Sequence, residues 1–217
     1  MNGRELAMRA LFIIPTLLSL SVHEWAHAFA AWKLGDDTAE REGRLTLNPI
    51  VHIDPLGTIL LPLLGVPFGW AKPVPVNPTR FNRRWSMSTG MAITAFAGPF
   101  SNLVLAMLCA VALGLIIRFA PHLANPGEGM TFLLVYGLQL NVGLAIFNML
   151  PLPPLDGSRI VARFIPRRFE DTWESISRFG PILLFAVIAT GGFFLSGPIE
   201  AVTRGMLHLM ANVAGRA

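Results

Sequence analysis

The sequence predicts an all-α polytopic membrane protein with about four transmembrane helices and a short membrane-associated β-hairpin or re-entrant segment. Three observations lead there. Of 217 residues, 53% are hydrophobic and only 14% are charged, against about 25% charged in an average soluble domain. Several windows of about 20 residues carry almost no charge, the length a helix needs to cross a bilayer. The basic residues sit between the apolar runs. That is where membrane topology puts them, and it argues against nucleic acid as the partner of a chain with net charge +4.

The elements follow in order. A first span is expected from about Glu5 to Leu34, ending at Leu34-Gly35-Asp36-Asp37. It outruns the roughly 7–15 apolar residues of a secretory signal and lacks a small-residue cleavage site. The alternation Arg44-Leu45-Thr46-Leu47 and the prolines after it predict a short strand or hairpin. The piece from Thr58 to Trp70 is broken by Pro62, Gly65, Pro67 and Gly69, too short to span, and is expected to dip into the membrane and return. Residues 71–85 read as extended, proline-rich and basic. A second span covers Ser88 to Phe119 and a third Met130 to about Leu150. The fourth starts at Pro181, ends near Leu195 and reaches Val202 at most. No hydrophilic stretch is long enough for a separate module, so residues 1–217 form a single integral-membrane domain.

Charge orients the spans. Segments 33–55, 72–88 and 156–179 hold three, four and five of the 17 Lys and Arg, and the turn 119–129 holds none. With four spans the three rich segments share one side, which the positive-inside rule makes cytoplasmic. Cys109 is the only cysteine, which excludes an intramolecular disulfide and a cysteine-based metal cluster.

The chemistry lies in His23-Glu24-Trp25-Ala26-His27, deep in the first apolar run. On a helix, histidines four apart face one way and can hold one zinc ion, with the glutamate beside them as a base toward water. An ionisable group at the centre of a membrane helix costs on the order of 3 kcal/mol. Three in five residues need a reason, and a divalent metal neutralises the charge while satisfying the ring nitrogens. A catalytic zinc takes three protein ligands. The position six residues after His27 is Lys33, and Glu40 and Glu42 lie past the expected helix end. Asp156 is the better candidate. It is the only acidic residue from Met130 to Phe169, and Pro151, Pro153 and Pro154 break the helix just before it. His23, His27 and Asp156 would then all lie toward the inner face.

Together "HEWAH", "AGPFSN" (Ala97 to Asn102) and "FNMLPLPPLDG" (Phe147 to Gly157) resemble the site-2 protease family of intramembrane zinc metalloproteases. The likeness covers about residues 10–165, with the catalytic core over about 5–165. "GRLTLNPIVHIDPLGT" is similar to short family members, and no PDZ or CBS-like insertion is present. The resemblance implies one Zn2+ per chain on His23, His27 and Asp156, with Glu24 as the base. It implies Asn148 as a contact to the substrate strand, and Asn102 joins it as a candidate polar contact to substrate. The expected activity is metal-assisted endopeptidase cleavage of transmembrane segments of membrane proteins near the cytoplasmic face. Such a helix must unwind to be cut, and the strand edge near Leu45–Leu47 is expected to hold it by β-addition. The expected partners are transmembrane protein substrates and the lipid bilayer. A multi-pass place in a prokaryotic cell membrane fits the excess of Arg over Lys.

Two other functions compete: a catalytically silent homologue that binds transmembrane helices, and a membrane zinc transporter or sensor. The first has no need of Glu24, His27 and Asp156 together. The second calls for polar residues along several spans, and the second and fourth have few. Loop capping is the expected work of His52 and Asp54, and helix packing that of Gly98.

Overall fold

The computed structural model describes residues 3–60, 64, 70–125, 129–189 and 193–215. Helix α1, Gly3–Lys33, is free of glycine between its first residue and its end, and Lys33 in the last turn suits the negative pole of the helix. It stops at Gly35, whose φ of +107° is open to glycine but strained for other residues. The carbonyl of Leu34 then accepts from the Asn82 amide at 2.7 Å, tying the helix end to a distant loop. A short helix α2, Thr38–Arg41, follows. Asp36, wholly buried, accepts from the Thr38 amide at 3.1 Å and from the Asn77 amide at 2.6 Å, a second tie to the same loop.

The long helix α3, Met87–Phe119, opens on Ser86, whose hydroxyl accepts from the Thr89 amide at 3.2 Å. Helix α4 is Gly129–Asn148. These two are long and apolar enough to cross a membrane, and only 28% and 33% of their most apolar windows are buried. A soluble core helix would bury most of that surface. Here Phe96, Phe100, Met107, Leu108 and Leu115 of α3 point outward, as residues facing lipid do. Both helices match the expected second and third spans to within one or two residues at most boundaries.

Between α3 and α4 the core is Ala106, Ala110 and Leu113 against Leu138 and Val142. Helix α8, Ser196–Val213, closes over it with Ile199, Val202, Met206 and Met210. The alanines and Gly114 let helices approach closely. A Cβ on Gly114 would lie 2.7 Å from the Met210 carbonyl oxygen.

Two expectations fail. Among the described residues there is no strand, and residues 44–47 are bends and coil. A four-residue alternation needs a partner, and the neighbouring segment contains Pro73 and Pro75, which have no N–H to donate. Side chains satisfy the backbone instead: His52 Nε2 lies 2.8 Å from the Thr46 carbonyl. The fourth span is not one helix either. After helix α6, Glu170–Arg178, helix α7, Gly180–Ala189, is ten residues, about 15 Å, and a 3₁₀ turn at Phe193–Leu195 precedes α8. Gly191, Gly192, Gly197 and Pro198 interrupt the apolar run there. The proposed dip from Thr58 to Trp70 lies mostly outside the described residues. Its entrance is one π-helical turn, Pro55–Leu60. There Asp54 Oδ1 accepts from the Leu56 and Gly57 amides at 3.0 and 2.8 Å, so the loop-capping reading of Asp54 holds.

Candidate metal centre

His23 and His27 sit one turn apart on α1 with their Nε2 atoms 3.0 Å from each other. Asp156 is the first residue of the short helix α5, Asp156–Ala162, where the positive helix end favours a carboxylate. Its Oδ2 lies 3.2 Å from His23 Nε2 and 3.3 Å from His27 Nε2. The three side chains are nearly enclosed, with 11% of the Asp156 side chain exposed. Two glycines make the meeting possible. A Cβ on Gly98 of α3 would lie 2.4 Å from His27 Nε2 and 2.7 Å from His23 Cε1. One on Gly157 would strike the Met149 carbonyl oxygen at 2.2 Å, so α5 could not tuck under the end of α4.

This donor set fits a metal ion. Tetrahedral zinc with bonds of about 2.0–2.2 Å separates its ligand atoms by about 3.3–3.5 Å, close to the triangle observed. His27 Nδ1 lies 2.7 Å from the Thr94 carbonyl oxygen, which can only accept. Nδ1 therefore carries a proton, and in the neutral imidazole Nε2 presents a bare lone pair. A lone pair 3.3 Å from a carboxylate oxygen is repulsive unless a cation or proton joins them. His23, His27 and Asp156 could hold one ion, and two imidazoles with one carboxylate suit zinc.

Glu24, 9% exposed, accepts from the Val74 amide at 2.8 Å through Oε2. Val74 belongs to an extended strap over residues 70–77 that side chains and loops hold on both sides of it. The Trp70 carbonyl accepts from the Thr58 hydroxyl at 2.7 Å, and the Lys72 amide donates to the His52 carbonyl at 2.9 Å. Buried Arg44 donates through Nη2 to the Lys72 and Pro73 carbonyls at 2.6 and 3.3 Å. The alternation expected to make a strand at 44–47 thus begins with a residue that builds this strap.

The other expected residues divide. Asn148, at the end of α4, is half-buried and donates to the Leu144 carbonyl at 2.9 Å. Asn102, expected to face substrate, is wholly buried, and its Oδ1 lies 2.6 Å from His23 Nδ1. It serves the histidine, because its position on α3 faces α1. Glu40, weighed as a ligand, accepts from Trp32 Nε1 at 2.9 Å instead. Thr94 and Asn141 were missed. Thr94 acts through its backbone, which no residue pattern reveals. Asn141 was visible as one of three carboxamides, with Gln139 and Asn148, in an apolar span, where a carboxamide commonly signals an interhelical hydrogen bond.

The model of peptidase family M50 matches residues 114–188, which include Asp156. A Bacillus subtilis protein named "Putative zinc metalloprotease YwhC" is 38% identical over 213 residues, covering 96% of this chain and 94% of its own. The Mycobacterium tuberculosis protein named "Putative zinc metalloprotease Rip2" is 32% identical over 216 residues, 98% of this chain and 78% of its own. Its Mycolicibacterium smegmatis namesake is 38% identical over 148 residues, 68% of this chain and 54% of its own. No solved structure matches the chain. Two relatives alike over nearly the whole chain, and a family model over the stretch that carries Asp156, establish kinship: the chain belongs to peptidase family M50, the site-2 proteases.

Proposed function

We propose that this protein is an intramembrane zinc endopeptidase that cleaves transmembrane segments of membrane proteins near the cytoplasmic face. The observation that carries the reading is the convergence of His23, His27 and Asp156, from two helices distant in sequence, on one point inside an apolar bundle. The names of the relatives support zinc. Residues 1–217 act as one multi-pass domain, and the basic segments support an inward-facing site in a prokaryotic cell membrane.

In the reaction His23, His27 and Asp156 would hold the metal. A zinc ion held there supplies Lewis acidity, making water acidic near neutral pH and polarising a peptide carbonyl. Glu24 takes the proton of the attacking water and delivers it to the leaving amine. The Val74 amide holds one carboxylate oxygen, leaving the other for that transfer. Asn148 lies where α4 gives way to the Asp156 loop and offers its carboxamide oxygen to the backbone of an unwound substrate. The enclosing apolar side chains limit bulk water, which protects the transfer.

The test expresses wild type and Glu24→Gln in membranes with a helical reporter and measures zinc per chain together with cleavage. The expected result is about one zinc in both and cleavage by the wild type alone. Equal cleavage by both would end Glu24 as the base. Zinc uptake across the membrane without cleavage of any reporter would favour a transporter.

A further inference from the structure

Behind His23 a line of buried polar groups crosses the bundle. His23 Nδ1 meets Asn102 Oδ1 of α3 at 2.6 Å. Asn102 Nδ2 donates to Asn141 Oδ1 of α4 at 2.8 Å. Asn141 Nδ2 donates back to Ser19 Oγ of α1 at 2.9 Å and to the Gly137 carbonyl at 2.7 Å. Ser19, Asn102 and Asn141 are at most 3% exposed. Groups buried this deeply are satisfied by partners, so every donor must face an acceptor.

The direction of the line follows from its far end. The Gly137 oxygen can only accept, so the nitrogen of the Asn141 carboxamide must face it and its oxygen must face Asn102. Asn102 must then turn its nitrogen to Asn141 and its oxygen to His23. A carboxamide oxygen accepts only, so Nδ1 of His23 carries a proton, and in the neutral ring Nε2 is left bare toward Asp156 and His27. One backbone carbonyl on α4 thereby selects the tautomer of a histidine on α1, two side chains away.

We propose that Asn141, acting through Asn102, is a positioning residue of the metal centre that holds His23 in its metal-binding tautomer and ring orientation. The role rests on the zinc reading above. It explains why three helices place three buried polar side chains, Ser19, Asn102 and Asn141, behind the metal ligands. It also makes an asymmetric claim: Asn141 matters because Asn102 has two unlike ends that must be told apart. A carboxylate at position 102 has two accepting ends and needs no such instruction.

The experiment measures zinc affinity by chelator competition on the purified full-length chain, with the absorption spectrum of the cobalt-loaded protein as a readout of ligand geometry. Asn141→Leu is expected to weaken zinc binding about 10-fold and Asn102→Leu about 10- to 100-fold, the range for partners of metal-bound histidines. Asn102→Asp still presents an acceptor to His23 but sets a carboxylate oxygen against Asn141 Oδ1, so in that background Asn141→Leu is, decisively, expected to cost less than about twofold in zinc affinity or to raise it. A residue needed only for packing would cost the same in either background, and that result overturns the proposal, as does an unchanged affinity and spectrum in Asn141→Leu. Should Asn141→Leu not accumulate folded, Asn141→Ala is run through the same cycle. A wild type that binds no zinc defeats the metal reading itself, a different outcome from wild-type zinc binding that ignores position 141.

Discussion

The backbone amide of Val74 donates to Glu24 Oε2 at 2.8 Å from between two prolines. Pro73 and Pro75 have no N–H, so Val74 is the only donor among the three residues, and it points at the proposed base. Replacing it by proline removes that donor and leaves the metal ligands untouched. Val74→Pro is expected to retain zinc and lose about 10-fold or more in kcat, part of the 10²–10⁴ that a positioned acid–base group contributes. Val74→Ala keeps the amide and should cleave near the wild-type rate. Parallel cleavage and zinc assays of both variants decide the matter, and equal rates would remove the strap from the mechanism.

Gly98 is where α3 passes the two histidines. Gly98→Ala would place a carbon 2.4 Å from His27 Nε2, so helix or ring must move. The expected outcome is at least a 10-fold loss of zinc affinity, read by chelator competition. Gly143 of α4 is the contrast, since a Cβ there meets nothing within 4 Å. Gly143→Ala should leave zinc alone and raise thermal stability by about 0.5–1 kcal/mol, the usual gain from removing a helical glycine.

Arg44 is 6% exposed and anchors two strap carbonyls. Arg44→Met keeps the length and loses the donors, leaving buried carbonyls unsatisfied at a cost of about 1–3 kcal/mol. Limited proteolysis should then cut faster within residues 70–77 while zinc content stays the same. A cleavage pattern identical to wild type would show that the strap is held by something other than Arg44.

Removing the metal should destabilise the bundle as well as stop turnover. A ligand at 100 times its Kd stabilises the folded state by about 2.7 kcal/mol, so chelation should lower Tm and added zinc restore it. Glu24→Gln should show the same shift without activity. Asp156→Ala should show no zinc-dependent shift, because it removes the carboxylate that joins α5 to α1. A full shift in Asp156→Ala would take that residue out of the ligand set.

Much of the architecture is written locally. Helices α3 and α4 were legible within a residue or two because long apolar runs leave a membrane chain little but helix, even across Gly98 and Pro99 of α3. His23, Glu24 and His27 were legible because a four-residue spacing on a helix is a geometric statement. Asp156 stood out as a lone acid beside a proline break. The strand at 44–47 and the single fourth span were misread because a short alternation and a glycine-interrupted apolar run each suit more than one structure.

What local pattern settled here was which segments are apolar helices and which residues can bind metal, since both depend on neighbours within a few positions. Tertiary packing settled the rest. Val74 reaches Glu24 across 50 positions and Asn141 reaches Ser19 across 122. It turned Arg44 from a strand residue into a strap anchor and Asn102 from a substrate contact into a partner of His23. The reason is that a buried polar group takes whichever partner the fold brings within 3 Å, and no periodicity along the chain encodes that encounter.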